Sequence, residues 1–517
     1  MRDAHAVADV RAAEGALMAL VPDGALMQRA AAGLAAVCAG LLGGVYGSRV
    51  VVLAGTGDNG GDALFAGARL AARGAQVTAV GTGAGLHEAG AAALRRAGGR
   101  LAGGPDAGEA GAGDAIAAAD LIIDGILGIG GRGGLREPAA TLAGLTASAA
   151  ASGAIVVAAD LPSGVDADTG VVAGAAIRAD VTVTFGTIKP GLLIDPGASY
   201  AGTVELVDIG LRPHLTALPV VTALQLVDVA ALLPEPGAES DKYRRGVLGV
   251  LAGSEKYTGA AVLSVGGAIR GGAGMVRLVS ATAAADVVRQ HWPETVITVL
   301  DAGGPAGPQP SGRGAGPAAI EAAGRVQAWV AGPGLGTGDD AAELLAAVLA
   351  TSLPVLVDAD GLTVLSRHKE LLARSAGAVT LITPHAGELA RLTNGDRGQI
   401  EAHRLESARA AAAELGVTVL LKGSTTVVAT PDPAEPAFVN ATGTPWLATA
   451  GSGDVLSGLA GALLAQGVRP ARSAAAAAAF LHGLAGRLAA RGAPAGASDV
   501  LAAIPEAIRT VAAGDQP

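Results

Sequence analysis

Asp454 stands directly behind a glycine-rich turn, Thr449-Ala-Gly-Ser-Gly, and ahead of an apolar helical pattern at Val455, Leu456, Leu459, Leu463 and Leu464. Gly451 and Gly453 let the backbone bend tightly and approach a ligand closely. Free N–H groups at the start of the following helix then converge on one point, an anion hole. A carboxylate beside such a hole can take a proton from a hydroxyl while a phosphoryl group is held in place. Helix capping alone would use the same residue types. The weight therefore rests on what the rest of the chain places with them.

Further polar sets in the C-terminal half follow apolar runs. Gly253-Ser-Glu-Lys-Tyr-Thr-Gly-Ala-Ala261 leads into a helix, and Gly332-Pro-Gly-Leu-Gly, with Gly334 in mid-loop, precedes acidic Asp339 and Asp340. Asp358-Ala-Asp-Gly-Leu and Thr383-Pro-His-Ala-Gly-Glu, the latter carrying His385, end two more runs. Lys422, Gly423, Ser424, Thr425 and Thr426 offer a cation, hydroxyls and backbone N–H groups able to grip a nucleotide phosphate. They also fit a hairpin turn, and the two readings are compatible. His385 is either a residue at a helix start packed under a loop or a ligand contact, and its neighbours favour the second. His482, inside an alanine-rich helix, reads as core or helix–helix contact.

The N-terminal half repeats the arrangement. Arg49-Val-Val-Val-Leu-Ala runs into Gly55-Thr-Gly, then Asp58, Asn59, Gly60, Gly61 and Asp62, and a helix follows. This is a setting for phosphate, although it lacks the lysine of a P-loop and the spacing of a dinucleotide fingerprint. Asp124 and a run containing Gly128, Ile129, Gly130, Gly131, Arg132, Gly133 and Gly134 follow a later strand; Asp160-Leu-Pro-Ser163-Gly-Val-Asp follows the next. Lys189 pairs with phosphate or is a solvated loop lysine.

The elements that must position these residues alternate. Strands are expected at 49–54, 75–80, 121–124, 155–159, 181–185 and 204–207, and again at 247–251, 275–279, 296–300, 326–331, 355–358, 379–382 and 417–421, with helical stretches between most of them. That alternation marks doubly wound α/β sheets, in which ligands bind beyond the C-terminal strand ends. At 517 residues the chain exceeds one ordinary core. Arg212-Pro-His-Leu-Thr-Ala-Leu-Pro breaks the pattern and puts a boundary near 215, giving domains 1–215 and 216–517. The Gly- and Pro-rich stretch from Ala302 to Pro317 reads as a surface loop. Aromatics are only 2%, so the cores must be built from Val, Leu, Ile and Ala. A net charge of −10, spread along the chain, argues against a nucleic-acid or acidic-membrane surface. Cys38 is the only cysteine, which excludes an intrachain disulfide or thiolate metal cluster. Met1 to Leu20 lacks the apolar centre of a signal peptide, and the run Ala474–Leu481 is too short to span a bilayer. A cytoplasmic, soluble homo-oligomer is expected.

Gly57-Asp-Asn-Gly-Gly-Asp, Asp124-Gly-Ile-Leu-Gly, Asp160-Leu-Pro-Ser-Gly-Val-Asp-Ala-Asp-Thr-Gly and Lys189-Pro-Gly resemble the NAD(P)H-hydrate epimerase domain, over about Arg11 to Leu211. Lys242-Tyr-Arg-Arg-Gly, Gly332-Pro-Gly-Leu-Gly, Thr383-Pro-His-Ala-Gly-Glu, Lys422-Gly-Ser-Thr-Thr and Ala450-Gly-Ser-Gly-Asp resemble the ADP-dependent NAD(P)H-hydrate dehydratase domain of the ribokinase-like superfamily, over 225–512. The resemblance implies a Rossmann-like three-layer α/β/α domain followed by a ribokinase-like α/β domain. It implies epimerisation of hydrated NADH and NADPH at Asp160, with potassium held by Asn59, Asp124 and Ser163. Residues 58–62 and 128–134 would bind the substrate, its phosphates meeting Asn59–Asp62 and Gly128–Gly134. In the second domain Asp454 would deprotonate the hydrate's hydroxyl, which takes a phosphoryl group from ADP; loss of phosphate returns NAD(P)H. Ala261, Gly334, His385 and Asp454 would contact the hydrate, and Lys422–Thr426 with Gly453 the nucleotide, magnesium neutralising its phosphates. There are two rivals: a small-alcohol or vitamin kinase fused to a nucleotide-binding regulatory domain, which uses the same Asp454 and anion hole, and a non-catalytic sensor of hydrated cofactor; each leaves the polar residues of one half unexplained. The kinase would leave a stable phosphorylated product, and the sensor would turn over neither epimer.

Overall fold

The structure is a computed structural model, and it describes residues 1–82, 85–102, 110–300, 315–375 and 377–514. The chain divides into two compact units, Asp3–Val221 and Thr222–Pro517, the second also taking Met1 and Arg2. The contact boundary thus falls slightly after the loop expected near 215. The first two residues leave the domain they were assigned to, because the Met1 ammonium pairs with Asp228 at 2.7 Å.

The sheet of the first unit runs Arg100–Ala102, Gln76–Gly81, Arg49–Ala54, Leu121–Gly125, Ile155–Ala159, Val181–Phe185, Thr203–Val207. All of its pairings are parallel. Successive side chains of a strand point to opposite faces, so each central strand feeds two cores. Val50, Val52, Leu121 and Ile123 pack with Leu34 and Leu64 on one face. Val51, Leu53 and Ile122 pack with Ile116 and Leu142 on the other. Helices Ala25–Leu42 and Asp58–Ala72 cover the first face, and Ala139–Ala151 the second, which makes three layers. Among the described residues Ala25–Leu42 is the one helix long and apolar enough to cross a membrane. Here its Ala30, Ala31, Leu34, Ala35 and Cys38 lie in the first core.

The second unit carries a sheet ordered Val221–Ala223, Ala437–Asn440, Thr426–Ala429, Thr418–Leu421, Thr380–Ile382, Val355–Val357, Ala328–Ala331, Val247–Leu251, Met275–Ser280, Val296–Val299. Pairing is parallel from Thr418–Leu421 to the Val296–Val299 edge and antiparallel between Thr418–Leu421, Thr426–Ala429 and Ala437–Asn440. Helices Thr258–Arg270, Ser452–Ala465, Ala471–Ala490 and Ala497–Ala513 share one core with the sheet. A Cβ at Gly458 would collide with the Ser264 carbonyl oxygen, and one at Gly267 with that of Val455. Glycine on both surfaces therefore lets the helix that begins at Ser452 lie backbone-close to Thr258–Arg270.

The expected strands all occur, with small shifts at their ends. Five short ones were not foreseen: Arg2–Ala4, Arg100–Ala102, Val221–Ala223, Thr426–Ala429 and Ala437–Asn440. Each is three or four residues, too short for an alternation to show. The stretch expected as a surface loop from Ala302 lies outside the described residues up to 314, and Ala315–Ala322 is a helix.

Candidate active sites

In the second unit several strand ends meet the helix Ser452–Ala465. Gly451, at φ 89°, caps that helix in the left-handed region, which glycine reaches without a Cβ clash. Asp454 lies in its first turn. The Lys422 ammonium sits beneath the turn, 3.4 Å from where a Cβ on Gly453 would be. It donates to Asp358 Oδ1 at 2.7 Å and lies 3.7 Å from Glu388 Oε2. Asp358 is 1% exposed, and its other oxygen accepts from the Ser457 hydroxyl at 2.6 Å. Ala359, between Asp358 and Asp360, has φ 51°, a strained value for a residue with a Cβ. The strain turns its two neighbours apart: Asp358 inward to Lys422, Asp360 to the Gly336 N–H at 2.9 Å. Burial, then the neighbouring Asp358, raises the Asp454 pKa to about 7, with Lys422 opposing. A carboxylate poised there suits a general base at neutral pH.

His385 caps the helix Ala386–Thr393: Nδ1 accepts from the N–H groups of Gly387 and Glu388, at 3.0 and 3.2 Å. The proton of the neutral ring is therefore on Nε2. Burial holds its pKa below the usual value. Its side chain remains 55% exposed, so it caps a helix and presents a ring edge outward instead of packing under a loop. Gly334, at φ 60°, lies against Ala260 and Tyr257. Ala261 is fully buried and faces Gly253, so its methyl group does not line an open site. Lys422–Thr425 form the turn between antiparallel strands, and Thr426 begins the second of them. Gly423 and Ser424 are exposed, while Thr425 is buried. The Arg404 guanidinium packs on Gly423, where a Cβ would collide with it. His482 is buried, hydrogen-bonded to the Ser452 backbone, and burial depresses its pKa to about 4.

In the first unit Asp160 ends the strand Ile155–Ala159 at φ 62°. Its Oδ1 takes three donors: Lys189 Nζ at 2.5 Å, Thr184 Oγ1 at 3.1 Å and the Phe185 N–H at 3.1 Å. Oδ2 accepts from none of the described residues. One oxygen is anchored and the other is left to the site. Lys189 is 1% exposed and also donates to the Phe185 carbonyl at 3.0 Å. It is therefore neither the solvated loop lysine nor the phosphate ligand that its loop position suggested.

Asp124, fully buried, receives the Ser163 hydroxyl at 2.6 Å and the Ser163 N–H at 2.8 Å. Burial raises its pKa to about 6 against these hydrogen bonds, and no cation pairs with it among the described residues. Asn59 lies against Gly128 of the glycine-rich loop, about which a Cβ would meet its side chain at 3.2 Å. Asn59 Nδ2 and Asp62 Oδ1 are buried with no hydrogen-bond partner. Burial, then Asp160, Asp58 and Glu14, push the Asp62 pKa well above the usual carboxylate range.

Four contributors escaped the sequence reading. Asp358 was seen at a strand end but given no role. Ser457 looked like one more residue of an apolar helix. Glu14 and Arg11 come from the helix Val7–Met18. Glu14 has its pKa raised by burial with Asp160 and Asp58 nearby, and Arg11 reaches the place a Cβ on Gly130 would occupy. This helix is tethered where its first N–H meets Asp168 at 2.7 Å and His5 meets Thr187 at 2.9 Å. Nothing local in the sequence announces that placement.

A carboxylate poised at a helix start over a partly buried lysine, on a mostly parallel sheet, defines a ribokinase-like α/β unit; the other unit is a Rossmann-like three-layer one. The family described as NAD(P)H-hydrate dehydratase matches residues 248–506, and the family described as YjeF-related protein N-terminus matches 23–191. A bifunctional NAD(P)H-hydrate repair enzyme of Mycobacterium tuberculosis is 47% identical over 92% of both chains. The Mycobacterium leprae protein of that name is 47% identical over 92% of this chain and 91% of its own. That of Corynebacterium glutamicum is 35% identical over 90% and 88%. A solved Bacillus subtilis ADP/ATP-dependent NAD(P)H-hydrate dehydratase, co-crystallised with ATP/Mg2+, aligns at TM-score 0.47 and 27% identity, covering 56% of this chain and 99% of its own. The chain belongs to the bifunctional NAD(P)H-hydrate repair enzymes.

Proposed function

We propose that the first unit interconverts the S and R hydrates of NADH and NADPH, and that the second dehydrates one of them at the expense of ADP, giving NAD(P)H, AMP and phosphate. The observation that carries this is Asp454, with its pKa near 7, in the first turn of a helix above the Lys422 ammonium. Asp454 takes the proton of the hydrate's hydroxyl, whose oxygen attacks the terminal phosphorus of ADP as AMP departs. The N–H groups of Gly451–Gly453 and the ammonium of Lys422 meet the charge on the phosphoryl oxygens. The ester then leaves as phosphate, pushed by the ring nitrogen lone pair, and loss of a neighbouring proton restores the double bond. Phosphate is a far better leaving group than hydroxide, which is why a kinase-like site can perform a dehydration.

Lys422–Thr426 and Gly453 hold the nucleotide; Gly334 and the exposed Nε2 edge of His385 hold the hydrate. Ala261, being buried, shapes the floor of the site without presenting its methyl group. Magnesium would enter with the nucleotide phosphates and neutralise them; the carboxylates nearest are Asp358, Asp360 and Glu388, each already engaged with Lys422 or a backbone N–H.

At the first site the hydroxyl leaves as water with help from the ring nitrogen, and water returns to the opposite face. Asp160 Oδ2 lies against the cationic intermediate and exchanges the proton. Lys189, Thr184 and the Phe185 N–H keep the carboxylate aimed. Asp124, Ser163 and Asn59 fit potassium: the buried Asp124 carboxylate lacks a counter-charge, and hard oxygen donors suit that ion. Potassium would supply the missing charge and order the Gly125–Gly134 loop. The substrate phosphates meet that loop with Arg11 and Arg132, since Asp58, Asp62, Asp160 and Glu14 would repel them. We place the protein in the cytoplasm as a homo-oligomer, which fractionation and sedimentation would check.

Separated epimers provide the test. With ADP and magnesium, full-length protein clears both, read as recovery of reduced-nicotinamide absorbance. A stable phosphorylated product without that recovery would instead mean a kinase.

A further inference from the structure

The helix Asp58–Ala72 begins with Asp58, Asn59, Gly60, Gly61 and Asp62. Residues three apart on a helix share a face, so Asn59 and Asp62 stand side by side with only glycine between them. Their side chains hold two atoms with no partner, the Asn59 Nδ2 donor and the Asp62 Oδ1 acceptor, both buried. A buried polar atom left without a partner destabilises the fold. Two of opposite kind, in adjacent positions, call for one ligand group that is acceptor and donor along a single edge. The pair is near the reacting end of the site: Asp160 is the charged neighbour felt most strongly at Asp62, ahead of Asp58 and Glu14, with Lys189 opposing them. Asn59 also lies directly under Gly128. So many carboxylates exclude a phosphate from this position.

We infer that Asn59 and Asp62 together bind the carboxamide of the hydrated nicotinamide ring, the Asn59 Nδ2–H donating to its oxygen and Asp62 Oδ1 accepting from its NH2. This rests on the epimerase reading and adds the determinant that orients the ring. The carboxamide and the hydroxyl-bearing carbon are fixed on one rigid ring, so gripping the first sets the second against Asp160 Oδ2. A ribose hydroxyl or a bridging water would satisfy the same two atoms but would be blind to the ring substituent. The clamp also leaves Asn59 Oδ1 available to potassium.

The test compares the hydrate of NADH with that of reduced nicotinate adenine dinucleotide, which replaces the carboxamide by a carboxylate. That group has no N–H for Asp62 to accept and adds negative charge to a place already crowded by Asp160, Asp58 and Glu14. Full-length protein should epimerise the nicotinate hydrate with kcat/KM lower by at least about tenfold. Asp62→Asn supplies an NH2 group and should narrow or invert that ratio while lowering use of the NADH hydrate. Dehydration of the NADH hydrate by the same variant, in the other unit, reports that the chain has folded. Equal epimerisation of the two hydrates by unaltered protein, or an Asp62→Asn variant that loses both alike with the ratio unmoved, overturns the inference in favour of ribose or water. Failure of unaltered protein to epimerise the NADH hydrate at all, with dehydration intact, overturns the epimerase reading and the clamp with it.

Discussion

At the scale of single residues, both sites rest on carboxyl groups whose surroundings hold one protonation state ready. Asp454 is raised from 3.8 to about 7, first by burial and then by Asp358. Only its ionised form can take a proton, so kcat/KM for dehydration should fall about tenfold per pH unit below about 7 and level off above it. Asp454→Asn should lower dehydration by roughly 10²–10⁴-fold while epimerisation, assayed separately, continues. Asp124 shows the opposite use of burial. Its folded pKa of about 6 exceeds the ordinary aspartate value of 3.8, so without a cation its contribution to stability is present at low pH and is lost as pH rises from about 4 to about 6. The proposed potassium would answer the ionised form. Its stabilising effect, read as a shift in Tm between potassium and tetramethylammonium chloride, should be small at pH 5, large at pH 8, and absent in Asp124→Asn.

At the scale of elements, the helix Ser452–Ala465 sets where Asp454 points, and its position follows from what its glycines leave out. A Cβ at Gly458 would run into the backbone oxygen of Ser264, which cannot swing aside as a side chain would. Gly458→Ala should therefore push two helices apart, lowering stability by roughly 1–3 kcal/mol in thermal or denaturant unfolding. Dehydration should suffer beyond the loss of folded protein, because the first turn moves with its helix. The short helix Val7–Met18 makes the same point in the other unit: it brings Arg11 and Glu14 to strand ends far away in the sequence through bonds to Asp168 and Thr187.

At the scale of the molecule, two compact units with separate cores, divided between Val221 and Thr222, should each keep their own chemistry. A fragment ending near residue 220 should interconvert the epimers and fail to dehydrate either, with or without ADP. A fragment that clears one epimer in an ADP-dependent way would break the assignment of one reaction to each unit.

The alternation of apolar runs with polar strand ends determined, from the residues alone, that this is a pair of α/β sheets with candidate sites at their C-terminal edges. Backbone geometry makes that legible: a doubly covered strand must be apolar throughout, and the turn beyond it must be polar. Asp160, Asp454 and Lys422 could therefore be singled out as candidates from their places in the chain. Partnership was not legible, because burial and hydrogen bonding join residues across long separations. Lys189 reads as a loop lysine until the fold closes over it and sets it on Asp160; Asp358 reads as a turn former until it lies between Lys422 and Ser457. The short strands and the helix carrying Glu14 likewise gain their meaning from contacts that no local pattern encodes. The residue types show what chemistry is available, and packing decides which oxygen is held, which is free, and which proton can move.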